Sequence, residues 1–275
     1  MAIGKRPVVL ESLKKTRLMD LLQTGKRIDG RGLQDYRKLV IETNVIEKAN
    51  GSAKVSLGNT QVLVGVKVEI GTPFPDTPDS GILIVNAEIS PLSSPYAEPG
   101  PPDENVIELA RVVDRGIRES KIVDMTKLGI IPGKKVRAIF VDVSVLNSDG
   151  NLFDASSCAA ISALATSKIA EIKVEDDEPK VTDKIIPLQI STIPVSVTMG
   201  KIGDVVIVDP SSEEESIMDT RITLVTDSNG NLVAGQKGLP SFFGVEQVLQ
   251  AAETSMNKGT EIREMIKEVM TSAKA

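Results

Sequence analysis

One pattern runs through this chain twice: short runs in which apolar and polar residues alternate, then an amphipathic helix. Alternating runs at 38–46, 52–57 and 61–70 are separated by Asn50-Gly51 and Gly58-Asn59. A period of two marks strands, and Asn-Gly pairs supply the positive-φ residues of tight turns. After a Pro-rich loop at 72–81, another strand is expected over 82–91, a helix over about 103–123 and a strand over 135–146. The second round has strands over 193–199, 204–208, 217–226 and 232–236, then a long helix over about 243–271. Between the rounds, residues 153–172 are small and apolar almost all round, as a central buried helix would be, with Cys158 inside it. Strands then helices, repeated, make the class α+β. The chain reads as a single domain, 1–275, of two similar βαβ-type halves, about 25–150 and 180–275, joined by helix 153–172. Residues 8–24 add an amphipathic helix carrying Val9, Leu10, Leu13, Leu18, Leu21 and Leu22 at helical spacing. Glu175-Asp-Asp-Glu-Pro179 reads as an acidic link, Asp149-Gly150 as a hairpin turn, and Asp29-Gly30-Arg31 as a turn with a local ion pair.

Composition removes several kinds of chemistry. There is no histidine among the 275 residues, which excludes serine–histidine triads and histidine-ligated zinc. A single cysteine excludes an internal disulfide framework and a cysteine metal cluster. A net charge of −6 is unlike a protein that grips nucleic acid unaided, and 3% aromatic residues leave few platforms for base stacking. No apolar run approaches membrane-spanning length and no signal-peptide pattern is present, so a cytoplasmic location without membrane contact is expected.

The candidate site lies on the helix near 103–123. A Pro-Gly-Pro-Pro turn from Glu98 leads into Asp103, a good N-cap, with Glu104 in the first turn where the helix dipole favours negative charge. Val106, Leu109, Val113 and Ile117 share one face; Arg111, Arg115 and Arg118 form a narrow stripe roughly opposite. Guanidiniums in a row can grip successive phosphates. Glu108/Arg111, Asp114/Arg118 and Arg115/Glu119 also have ion-pair spacing, and on the helix alone a salt-bridged solvent face is the commoner reading.

Several segments, in order, resemble the RNase PH family. They are Arg27-Ile-Asp-Gly-Arg31, Gly51-Ser-Ala-Lys-Val-Ser-Leu-Gly-Asn-Thr-Gln-Val62, Gly81-Ile-Leu-Ile-Val-Asn-Ala-Glu-Ile-Ser-Pro-Leu92, Ile107-Glu-Leu-Ala-Arg-Val-Val-Asp-Arg115 and Val141-Asp-Val-Ser-Val-Leu-Asn-Ser-Asp-Gly150. The family comprises phosphate-dependent 3′-to-5′ exoribonucleases, polynucleotide phosphorylase and the ring subunits of the exosome. The run from Glu98 to Glu104 and Glu214-Glu-Ser-Ile-Met-Asp219 look most like the branch that forms the non-catalytic ring subunits of the archaeal exosome.

Departures from the active pattern support that branch. Active members carry an arginine pair where Glu104 and Asn105 stand here, and a Gly-Ser/Thr-Arg phosphate loop where Asn151-Leu152-Phe153 stand. Asp209 and Asp219 match the outer pair of an aspartate cluster; its middle member falls opposite Glu215 or Glu213, depending on the end counted from. For Asp209, Glu213, Glu214, Glu215 and Asp219, a solvated acidic turn with Glu213 and Glu215 exposed is favoured over a metal site.

The resemblance thus implies an RNase PH-like fold with no catalytic or metal-binding residues of its own, and RNA backbone contact by Arg111, Arg115 and Arg118. It implies a heterodimer with a catalytic RNase PH-like subunit, three dimers closing a hexameric ring, RNA-binding cap subunits on one face, and single-stranded RNA as substrate. It assigns no cofactor to this chain and leaves phosphate, with Mg2+ as an optional ion, to the catalytic partner. That assembly degrades RNA to nucleoside diphosphates and runs in reverse to add tails. A free-standing phosphorolytic exoribonuclease with an atypical site, and a purely structural ring subunit, are the alternatives.

Overall fold

In the computed structural model the described residues are 8–93 and 100–272. In order, the elements are α1 (Val8–Gln23), β1 (Leu39–Thr43), β2 (Gly51–Leu57), β3 (Thr60–Gly71), β4 (Ile82–Ile89), α2 (Glu104–Glu119), β5 (Gly129–Ile131), β6 (Lys135–Asn147) and α3 (Leu152–Ala165). The second half adds β7 (Lys168–Glu175), β8 (Glu178–Pro187), β9 (Val195–Ile202), β10 (Val205–Val208), α4 (Ser212–Glu215), β11 (Thr220–Thr226), β12 (Leu232–Gly238) and α5 (Val245–Ser272). The class is α+β, with the strands-then-helix plan repeated.

The first sheet runs β1-β2-β3-β6-β4, with β5 also on β6. All its pairs are antiparallel except β4–β6, whose parallel register (Ile82 opposite Ala138) requires the crossover that α2 supplies. The second sheet, β10-β9-β11-β12, is antiparallel throughout. Helix α3 lies between them, packed on β2, β3 and β9. Every residue from Leu152 to Leu164 is buried, and its alanines and serines let both sheets approach closely. Cys158 lies in this buried helix. Leu18 and Leu22 of α1 join a satellite core with Ile202, Ile207, Ile217 and Met218. The side chains of Val9, Leu10 and Leu13, and Glu98 and Pro99 of the turn before α2, lie outside the described residues. Among the described residues no helix is long and apolar enough to cross a membrane.

Three expectations are corrected. The helix expected over 153–172 ends at Ala165, and Lys168–Glu175 forms β7. Lys168-Ile-Ala-Glu-Ile-Lys-Val-Glu175 has a two-residue period, which a helix cannot bury on one face. The supposed acidic link is the tip of the β7–β8 hairpin, where Asp176 and Asp177 take φ of 52° and 63° as a two-residue primed turn requires. Asp149-Gly150 is not a hairpin; it turns the chain from β6 into α3. Gly150 has φ of +83°, and a Cβ there would lie 2.5 Å from the Ser211 and Ser212 backbone.

Candidate nucleic-acid interface and the buried ionic cluster

Helix α2 begins as its sequence predicts. The Asp103 carboxylate accepts the Val106 N–H at 2.8 Å. Val106, Leu109, Val112, Val113, Gly116 and Ile117 are buried against the fold. The three arginines lie on the other side, around a shallow hollow of about 310 Å³ shared with Val85, Ala110, Asp114 and Glu119. Arg111 is exposed and has no hydrogen-bond or ion-pair partner among the described residues. Arg115 donates from Nη1 to Gln236 Oε1 at 2.9 Å. Arg118 pairs with Asp114 at 2.8 Å, which raises its pKa further, and also donates to the Leu83 carbonyl. Of the three ion pairs that spacing allows, only Asp114/Arg118 forms along the helix. Glu108 turns away to Arg221 of β11, at 2.8 Å. The stripe is therefore one paired arginine, one hydrogen-bonded to a neutral amide and one unpaired.

The second concentration of charge is at the N-terminus of α3. The acidic segment after β10 is not a solvated turn. Glu213 is exposed, but Glu215, expected outside, is buried, as are Asp209 and Glu214. Burial of Asp209 and Glu214 is tolerated because arginines from the segment before β1 meet them. Arg27 forks onto Glu214, with Nε–Oε1 at 2.8 Å, and also donates to the Val208 and Asp209 carbonyls. Asp209 accepts Arg31 Nη1 at 2.9 Å, Arg37 Nη2 at 2.7 Å and the Asn151 amide at 2.8 Å. Burial would raise the Asp209 pKa, but the hydrogen bonds and charge of Arg37 hold it below the usual carboxylate value. The Asp29/Arg31 turn forms its local pair, with Arg31 Nε 2.6 Å from Asp29, and Arg31 then reaches Asp209 as well.

The backbone N–H of Asn151, the N-cap of α3, donates to Glu215 Oε1 at 2.9 Å. Asp154, one turn in, accepts only from neutral groups: Tyr36 OH at 2.7 Å, the Asn151 amide, and the N–H and hydroxyl of Thr198. With burial dominant and no cation on it, its pKa is pushed up to about 6. Asp219 is apart from this cluster, paired with Lys15 and capping the Gly203 N–H. Among the described residues no three acidic or sulfur ligands are grouped to hold a metal.

Nothing local in the sequence marks Arg27, Arg37, Tyr36, Asn151 and Asp154 as members of one cluster, or Gln236 and Arg221 as neighbours of the stripe. Their partners lie far along the chain, beyond the reach of any local periodicity.

The comparisons agree with this architecture. Residues 35–170 match domain 1 of the 3′ exoribonuclease family and residues 192–258 match domain 2. The chain is 53% identical over 260 residues to the exosome complex component Rrp42 of Thermococcus kodakarensis, covering 94% of this chain and 96% of that protein. It is 47% identical over 259 residues to the Methanosarcina mazei protein of the same name, covering 94% and 95%. A chain in the structure of the Archaeoglobus fulgidus exosome with RNA bound to the active site superposes with a TM-score of 0.86 at 48% identity, over 94% of this chain and 99% of that one. Rice Rrp46, at 19% identity and a TM-score of 0.68 over 89% of this chain and 100% of that one, shares the fold. With both family domains matched in order and near-full-length relatives at about half identity, the chain belongs to the RNase PH-type 3′ exoribonuclease family.

Proposed function

We propose that this chain is the non-catalytic RNase PH-like subunit of an archaeal-type exosome ring, holding RNA phosphates on α2 and leaving the chemistry to a catalytic partner. The observation that carries the non-catalytic reading is the filled N-terminus of α3. In the active relatives that the sequence resembles, the turn before this helix cradles the attacking phosphate. Here the Asn151 N–H is taken by Glu215, and Asp209 and Asp154 take the Asn151 side chain. A phosphate there would meet carboxylates instead of free N–H donors. Phosphorolysis needs that anion held in line and its charge stabilised, and Glu104 and Asn105 at the start of α2 offer no replacement.

RNA contact by Arg111, Arg115 and Arg118 is supported by their shared outward face, by Arg111 having no partner among the described residues, and by the likeness to a subunit of an RNA-bound exosome. Backbone contact gives affinity without sequence choice, as an unselective nuclease needs. The net charge of −6 is consistent with a strand gripped jointly by two chains. The partners on this reading are the catalytic subunit, in three heterodimers forming a hexameric cytoplasmic ring, and RNA-binding caps. Phosphate, with Mg2+ as an optional ion, serves the partner's site.

The test is release of nucleoside diphosphates from poly(A) with phosphate. The chain alone should give none, and adding its catalytic partner should give a six-subunit ring by native mass and an active enzyme. Turnover by the chain alone would instead make it a free-standing exoribonuclease with an atypical site.

A further inference from the structure

Arg115 is held by the other half of the molecule, not by its own helix. Its Nη1 donates to Gln236 Oε1 at 2.9 Å and to the Gly235 carbonyl at 3.4 Å, both on β12. The Gln236 amide donates from Nε2 to Glu108 Oε1 at 3.2 Å. The same Glu108 oxygen accepts Arg221 Nη2 at 2.8 Å. Arg221 is buried, with its guanidinium 4.2 Å from the centroid of the Phe153 ring on α3. Only one orientation of the Gln236 amide suits both neighbours, because its carbonyl must face the guanidinium and its NH2 the carboxylate.

We propose that Gln236, with Glu108 and Arg221 behind it, is a positioning residue for the RNA-binding face: it fixes the Arg115 guanidinium without cancelling its charge. This rests on the RNA reading of α2 given above. Glu108 shares the stripe's side of the helix and, left alone, would pair with Arg111 three residues on, removing a positive charge from the strand's path. Arg221 takes up that carboxylate from the core side. Gln236 then reaches Arg115 as a neutral acceptor, leaving Nε and Nη2 of Arg115 without a partner among the described residues. Those donors suit a phosphate oxygen pair. A long side chain already ordered before binding loses less entropy when the ligand arrives.

The experiment uses the complex assembled with the catalytic partner and measures binding of labelled oligo(A) over a salt series. Gln236→Leu should raise Kd about threefold to tenfold, the cost of ordering one side chain, with the salt slope unchanged. Gln236→Glu should raise Kd further and lower the slope by about 0.7, because Arg115 is then neutralised. Arg115→Ala is the reference. If Arg115→Ala weakens binding and neither Gln236 variant does, the positioning role is overturned while the RNA reading stands. If Arg115→Ala itself changes nothing, the RNA reading fails first.

Discussion

The N-terminus of α3 and the outer face of α2 both bring arginines next to carboxylates, and they use them in opposite ways. At α3, Arg27, Arg31 and Arg37 each meet a buried acid, and Asp209 alone accepts from Arg31, Arg37 and Asn151. Those charges are consumed by the fold. On α2, Arg111 is paired with no acid among the described residues, Arg115 has a neutral amide, and only Arg118 is paired. A guanidinium becomes available to a ligand when the fold gives it orientation without a counter-charge. On the proposed function, the first of these places is where active relatives would hold phosphate, and here Glu215, Asp209 and Asp154 take the Asn151 groups.

The comparison breaks most visibly on stability. Asp209→Ala should leave the half-buried Arg37 with only the more distant Asp149 and Arg31 with only Asp29, and cost about 3 kcal/mol, whereas Arg111→Ala should stay within about 0.5 kcal/mol. Urea unfolding measures both. Equal losses would mean that the α3 cluster is not held by its charges.

Within the closed cluster, pH sharpens the contrast. Asp209, held by arginines, has a lowered pKa, so its contribution is present above the unfolded value of about 3.8 and is lost as pH falls through the lower native value. Asp154, held by neutral donors, titrates in the native state at about 6. A carboxyl whose native pKa is raised favours folding while protonated, so that contribution is present below about 3.8 and is lost as pH rises through about 6, an effect on the order of 2 kcal/mol. Compared with Asp154→Asn at pH 4 and pH 7, the wild type should lose relative stability at the higher pH. A pH-independent difference would show that the Asp154 carboxyl is unperturbed.

On the open face, Arg111→Ala with Arg115→Ala in the assembled ring should weaken oligo(A) binding by roughly 2 kcal/mol, raise the RNA KM, and lower the salt slope by about 1.4, or about 0.7 for each lost phosphate contact. Complex mass and circular dichroism should not move, since Val106, Leu109, Val113 and Ile117 are untouched. Unchanged affinity and slope would leave a purely structural subunit. The smallest effect is expected from Asp114→Asn, which frees a half-exposed Arg118 and should improve RNA affinity by about twofold or less. A clear loss would show that Asp114 positions Arg118 instead of competing for it.

The two regions also differ in how far the sequence discloses them. The α2 face follows from a 3.6-residue period, an Asp103 cap and a Pro-rich entry, all within 20 residues, and the structure keeps its apolar and basic sides where the spacing places them. β5 is not among the expected strands and β10, Val205-Val-Ile-Val208, has no alternation, whereas β1, β2, β3 and β6 follow from alternation in the same way. The α3 cluster does not, because Arg37 is 172 positions from Asp209 and Arg27 is 187 from Glu214. Locally the acidic segment resembles a solvated turn, and only the tertiary fold shows that Glu215 is capping Asn151. The end of α3 was hidden for another reason: Ile169, Ala170 and Ile172 continue an apolar composition across Thr166-Ser167, where the period changes from helix to strand.

Crosslinking of RNA to the assembled ring, mapped by mass spectrometry on this chain, addresses both regions in one measurement. The account predicts crosslinks within 103–121, on the helix that carries Arg111 and Arg115, and none at 149–154, where the chain's own carboxylates occupy the start of α3. Crosslinks at 149–154, or none on α2, would contradict it.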